Sequence, residues 1–200
     1  GALYVFFLAS DFTVESFQKV SGTHGDFTAA LASSDYFGGA LDDLDDIDGD
    51  GLQEIIPGVY RDDTGGSSAG CVYIMSLTSL GTVHSFLKID ALTGSGSLTL
   101  NLYANLLFGY SVSRGEDING DGNMDVLVGA AGDDGSGTDK GAVYILFLNS
   151  TGYPLSHQRM SAARGWFTGV LVNYDYFGSS VCHLGDLNED GKMDLAVGAP

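Results

Sequence analysis

Two hundred residues, 44% hydrophobic and 17% charged, with 30 glycines and three prolines, suit one core or one repeat array and exclude a disordered chain. Eight Lys and Arg stand against 26 Asp and Glu, a formal net charge of -18, which disfavours nucleic acid as a partner because phosphates would be repelled. Two cysteines, Cys71 and Cys182, are too few for a disulfide scaffold, and no apolar run approaches the roughly 18 residues of a membrane span.

The chain opens on Gly1-Ala2-Leu3-Tyr4-Val5-Phe6-Phe7-Leu8-Ala9. This run is apolar but lacks a basic n-region, which predicts a strand and not a signal peptide. With no initiator Met, the chain is expected to be processed or excerpted from a longer one. The Gly-x-x-Tyr marker of this run returns at Gly70-Cys71-Val72-Tyr73-Ile74 and Gly141-Ala142-Val143-Tyr144-Ile145. Phe37-Gly38, Phe108-Gly109 and Phe177-Gly178 recur 71 and 69 residues apart. An aspartate-rich loop begins nine residues after each Phe, and a Gly follows twelve residues later at Gly58, Gly129 and Gly198.

Each unit reads as four short strands, enriched in Val, Ile, Tyr and Phe. The first follows Phe-Gly, as over 177–184. The second leaves the acidic loop, as over 124–130. The third is the Gly-x-x-Tyr run, as over 142–148. A weaker fourth lies near 17–20, 85–89 and 157–160. No long segment has helical periodicity. Four strands per repeat is the unit of a β-propeller blade. The expected fold is all-β, with blades of four antiparallel strands. The boundaries are a half-blade 1–34, repeats 35–105 and 106–175, and a half-blade 176–200.

The loops carry the chemistry. Loop one offers Asp46, Asp48, Asp50 and Glu54 at positions 1, 3, 5 and 9. Loop two offers Asp117, Asn119, Asp121 and Asp125; loop three offers Asp186, Asn188, Asp190 and Asp194. Calcium takes six to eight oxygens, and alternating side chains in a tight turn can aim at one centre. Gly at position 6 permits the turn, so that the carbonyl at position 7 (Leu52, Asn123 or Lys192) also faces inward. An EF-hand is excluded, because position 12 is Pro57, Val128 or Val197 instead of Glu and strands flank the loop. A metal-free Asp-Gly turn is the competing reading, but it does not account for three loops in phase. About three calcium ions are expected.

Phe177-Gly178, Asp186 to Asp194 and Val197-Gly198-Ala199-Pro200 together resemble the FG-GAP repeat of integrin α propellers. Phe108-Gly109, Asp117 to Asp125 and Val128-Gly129-Ala130-Ala131 match with Ala for Pro. In the first unit the closing element is Pro57-Gly58-Val59-Tyr60, and Glu54 replaces Asp. The resemblance implies calcium in these loops and a propeller typically of seven blades. About three blades are too few for a ring, so the half-blade edges are expected to seek further blades or a second copy, and an isolated chain is not expected to be a stable monomer.

Other motifs are weaker. Gly66-Ser67-Ser68-Ala69-Gly70 fits the Gly-x-Ser-x-Gly nucleophile pattern but runs into a strand, not a strand-turn-helix, and no catalytic role is assigned. His24, His84, His157 and His183 are scattered. Arg114-Gly115-Glu116 adjoins loop two and reads as scaffolding. Asp133-Asp134-Gly135-Ser136-Gly137 lacks alternating ligands. Trp166, Phe167, Tyr174 and Tyr176 read as blade packing. Asn149-Ser150-Thr151 is a glycosylation sequon. Whether Cys71 and Cys182 pair is left open.

The expected function is a non-catalytic, extracellular or cell-surface module, rigidified by calcium, that mediates protein interaction or adhesion. The alternatives are a carbohydrate-binding propeller or accessory domain of a polysaccharide-active enzyme, and a structural subunit of a surface layer or filament.

Overall fold

A computed structural model describes residues 1–92, 100–135, 137–162, 164–165 and 167–200. Among them there is no helix. Strands β1 (Leu3–Leu8) and β2 (Val14–Val20) form a two-stranded sheet. Strands β3 (Ala40–Asp45), β4 (Gln53–Val59), β5 (Cys71–Leu77) and β6 (Val83–Ile89) form a four-stranded antiparallel meander. Strands β7 (Phe108–Arg114), β8 (Val126–Ala130), β9 (Ala142–Leu148) and β10 (Pro154–Met160) repeat it, and β11 (Ser180–Gly185) pairs with β12 (Asp194–Gly198). The four-strand unit read from the sequence is therefore the sheet itself.

The sheets stack as blades. β7 packs on β3 and β4 of the preceding sheet, and β11 packs on β7 and β8. Cores lie between sheets, where both faces of the central strands leave water. Every residue of β5 and of β8 is buried, and their near-continuous apolar runs reflect that. Leu44, Ile56, Val72, Ile74, Phe108, Val128, Tyr144 and Leu146 belong to the largest core. The outer strands β6 and β10 are mostly exposed or half-buried, so their sequences are polar and their strand signal is weak.

The repeated glycines mark the seams between blades. A Cβ on Gly129 would run into the carbonyl oxygen of Gly178, and one on Gly58 into that of Gly109. Only hydrogen fits where these backbones touch. Ser111 Oγ donates to the Gly178 carbonyl at 2.8 Å, across the same seam. Phe108 N–H donates to Ala69 O at 3.0 Å, and Phe177 N–H to Lys140 O at 2.9 Å, so each Phe-Gly is stitched to the turn before the preceding Gly-x-x-Tyr. The Phe108 ring then meets Tyr144 edge-on at 5.3 Å. Two sequence markers 36 residues apart thus meet inside one blade.

Pro57 sits in the central strand β4, where a residue without N–H is disfavoured. The β4–β5 ladder omits Ile56 and Pro57 and resumes at Gly58, opposite Val72.

Candidate metal centres

Each acidic loop joins the first strand of a sheet to the second: loop one links β3 to β4, loop two β7 to β8, and loop three β11 to β12. The first Asp is the hub. Asp46 Oδ1 accepts the N–H of Gly49 (2.7 Å) and Asp50 (3.1 Å), and Oδ2 that of Gly51 (3.0 Å). Asp117 repeats this with Gly120, Asp121 and Gly122, at 2.7, 2.9 and 2.7 Å. Asp186 accepts from Asp190 and Gly191, at 2.9 and 2.8 Å. Positions 3 and 5 close local turns of their own, as where Asp48 Oδ1 accepts from Asp50 N–H and Asp50 Oδ1 from Leu52 N–H. The result brings the carboxylates of Asp46, Asp48 and Asp50 together, with oxygens within 4.8 Å of one another.

Position 9 lies deeper. Glu54 is 3% exposed, Asp125 0%, and Asp194 half-buried. Each accepts the N–H of position 2, from Ile47 (2.9 Å), Ile118 (3.0 Å) and Leu187 (2.9 Å). Asp125 uses its other oxygen for Leu148 N–H on β9, at 3.1 Å. The longer Glu54 differs: its Oε1 is buried without a hydrogen-bond partner. Burial pushes both Glu54 and Asp125 above the usual carboxylate range; for Glu54 the nearby Ser76 hydroxyl opposes the shift without reaching hydrogen-bond geometry. Hydrogen bonds from Asn119 and Asn123 pull exposed Asp121 below it. Two carboxylates held in low dielectric without a cation are a costly arrangement.

Position 4 escaped the sequence reading, which required Gly only at position 6. Gly49 and Gly120 hold φ of 76° and 81°, and loop three places Glu189 in the same left-handed region at 62°. A second repeat of charge also escaped it. Asp62 accepts Lys88 Nζ at 2.8 Å, and Asp133 pairs with Arg159 one repeat later. Both members are shifted by 71 residues, the same interval as Phe37 to Phe108, which is the signal that could have revealed them.

The remaining candidates are structural. Arg114 Nη1 reaches Asp43 Oδ2 (2.9 Å) and Asp45 Oδ2 (2.8 Å) on the preceding blade, a clamp between blades. Ser68 lies in the turn before β5 and its N–H is held by Asp63, with no helix behind it among the described residues. Cys71 is buried and Cys182 exposed, both as free thiols. His157 lies against Tyr144 at 5.9 Å, and burial lowers its pKa. Phe167 stacks on Phe177 at 5.1 Å and Tyr174 lies 6.4 Å from Tyr176, whereas Trp166 lies outside the described residues. Asn149 Oδ1 accepts from Thr151 and Tyr153, closing the β9–β10 turn.

A model of the FG-GAP repeat family matches residues 108–146 and 177–200. Integrin alpha-11 of Homo sapiens is 35% identical over 170 residues, which cover 82% of this chain and 12% of that protein. The chain belongs to the FG-GAP repeat family. Integrin alpha-8 of Gallus gallus is 33% identical over 157 residues (76% of this chain, 13% of the relative), and integrin alpha-5 of Xenopus laevis 30% over 177 (86% and 14%). The chain therefore spans about an eighth of the length of these relatives. At the seams, Gly109 and Gly178 of the Phe-Gly pairs meet the closing glycines Gly58 and Gly129 of the preceding blades. The FG-GAP match starts at Phe108, so loop one lies outside it. That unit is also the one with Glu54 and with Pro57 in its closing strand. Its sheet nonetheless has the same four-strand order.

Proposed function

We propose that this integrin-like FG-GAP propeller segment binds three calcium ions, one per loop. The ligands are Asp46, Asp48, Asp50, the Leu52 carbonyl and Glu54; Asp117, Asn119, Asp121, the Asn123 carbonyl and Asp125; and Asp186, Asn188, Asp190, the Lys192 carbonyl and Asp194. One observation carries the reading. In all three loops the first Asp grips the backbone N–H groups of the turn, and in loop one the carboxylate oxygens of Asp46, Asp48 and Asp50 lie within 4.8 Å of one another. A hard, oxygen-seeking divalent cation suits that donor set. Each ion would rigidify one end of a blade by tying its first strand to its second.

The module is non-catalytic and acts in protein interaction or adhesion, at the cell surface or outside the cell, where free calcium is high enough for sites of modest affinity. The integrin relatives support this reading, and a protein or glycan surface is the partner class. The blade division 1–34, 35–105, 106–175 and 176–200 is part of the proposal, with further blades or a second copy completing the outer half-blades at their strand edges.

Counting bound calcium tests it. Asp121→Ala and Asp190→Ala should each lower the count from three to two. Asp134→Ala should leave three, since Asp134 is exposed and, among the described residues, its carboxylate accepts only the Asp139 N–H, at 2.7 Å. Asp133→Ala is a poor control, because it would leave Arg159 without its buried partner. Equal counts in all variants would overturn the assignment.

A further inference from the structure

We infer that a cavity in the β7–β10 blade is a receptor for one carboxylate, the side chain of an aspartate or glutamate on a protein partner. The inference deepens the protein-interaction reading and rests on it. It does not use the calcium ions: the cavity is lined by Tyr144 of β9, whereas Asp125 of loop two holds the far end of that strand, at Leu148.

The cavity measures about 280 Å³, below the range of drug-sized pockets. Tyr103 from the β6–β7 connection, Tyr144 of β9, His157 and Arg159 of β10, and Arg164 beyond β10 line it. These groups are mostly donors. Tyr144 is 2% exposed, and among the described residues its hydroxyl has no hydrogen-bond partner. The Tyr103 hydroxyl oxygen accepts the Asp134 N–H at 2.8 Å, which leaves its proton to donate. Burial lowers the pKa of His157, so at neutral pH the ring is uncharged and offers one N–H.

Charge selects an anion. In a chain of net charge -18, two arginines line this cavity and, among the described residues, no acid does. The preceding blade shows what has changed. There, 71 residues earlier, Lys88 is held by Asp62 and Asp90, at 2.8 and 3.2 Å. Arg159 keeps the counterpart of Asp62 in Asp133, but neutral Ser161 stands in the place of Asp90. Arg164 adds a second cation, with no acid paired to it among the described residues. Asp133 answers one of the two arginines, so one positive charge remains for a monoanion. A dianion such as phosphate would set its second charge against buried Asp133, whose Oδ2 already lacks a partner.

A carboxylate suits the donors. Arg164 is exposed and Tyr144 buried, so an incoming side chain meets the guanidinium first and the hydroxyl last. A guanidinium fork can take both carboxylate oxygens and still leave lone pairs for the tyrosine hydroxyls.

The test is titration of the full chain with Nα-acetyl-glutamate methylamide, followed by NMR shifts of the His157 ring and the Tyr103 and Arg164 amides. Saturable binding is expected, and the uncharged Nα-acetyl-glutamine methylamide should not bind. Arg164→Gln should weaken binding roughly tenfold, and Tyr144→Phe about threefold without loss of stability, since that hydroxyl has no partner to lose. No saturable binding, or equal affinity for the glutamine probe, would overturn the receptor alone, because the interaction reading rests on the relatives and not on this cavity. Tighter binding of free acetate would overturn a protein side chain as the occupant, and tighter binding of inorganic phosphate would overturn the choice of a carboxylate. A loss of stability in Tyr144→Phe with affinity unchanged would overturn the part given to its hydroxyl.

Discussion

Asp125 is where blade packing and metal binding meet, and its removal separates the two. Asp125→Ala would strip the acceptor from Ile118 N–H at 3.0 Å and from Leu148 N–H at 3.1 Å, in a position with no exposure to water. Each buried N–H left unpaired costs about 1–3 kcal/mol, and relief of the buried charge offsets part of that, so a loss of about 2–4 kcal/mol is expected in chelator. In calcium at one hundred times Kd the wild type gains a further ~2.7 kcal/mol from loop two that the variant cannot. The total loss there is about 5–7 kcal/mol. Urea unfolding followed by aromatic fluorescence, with and without calcium, measures both. Asp121→Ala is the companion: its carboxylate is exposed and binds only within the loop, so it should lose the calcium-dependent part alone. Equal losses for Asp125→Ala in chelator and in calcium would refute the metal role of loop two. A chelator loss below about 1 kcal/mol would refute its role as the tie between loop and sheet.

Two further outcomes follow from the loops. Burial raises Glu54 and Asp125 in the folded state, so the folded calcium-free chain holds protons that the unfolded chain releases. Its stability should therefore fall as pH rises from the ordinary carboxylate range through those raised values; calcium should reverse the slope, because protons compete with the ion, and melts across pH 4–7 in chelator and in calcium check the crossing. Glu189 occupies a left-handed position at φ 62°, which costs a side-chain-bearing residue roughly 1–2 kcal/mol. Glycine recovers this less its own entropy, so Glu189→Gly should raise stability by up to about 1 kcal/mol in chelator, and a loss by urea titration would contradict the strain.

Local features were legible in the sequence and distant pairings were not. β9 covers Ala142–Leu148, the run marked by Gly141-x-x-Tyr144, because a strand buried on both faces must be apolar throughout. β10 was fainter because Leu155, Ser156, His157, Gln158 and Arg159 lie at an outer edge where no single face is buried. The loops were plain because ligands at alternating positions are a local pattern. Asp133 and Arg159 stand 26 residues apart, and in a chain with 26 acids nothing local marks which one Arg159 will meet. Only the 71-residue shift from Asp62 and Lys88 distinguishes that pair, and it becomes meaningful once a blade places the turn after the second strand beside the fourth.

The same loops set limits on what calcium can do. Because Asp46, Asp117 and Asp186 already grip the backbone of their turns, the hairpins do not need an ion to define their path. What lacks compensation is charge: carboxylates close together at the tip of loop one, and a buried one at position 9 in loops one and two. An ion would therefore act chiefly by relieving repulsion and joining the exposed tip to the buried carboxylate. The stiffness it adds would concentrate at the junctions β3–β4, β7–β8 and β11–β12. Each junction starts from the first strand of its sheet, and these strands take part in the contact between blades, where β7 packs on β3 and β4, and β11 on β7 and β8. Calcium at a loop tip is thus positioned to strengthen the contact between blades as well as the hairpin that binds it.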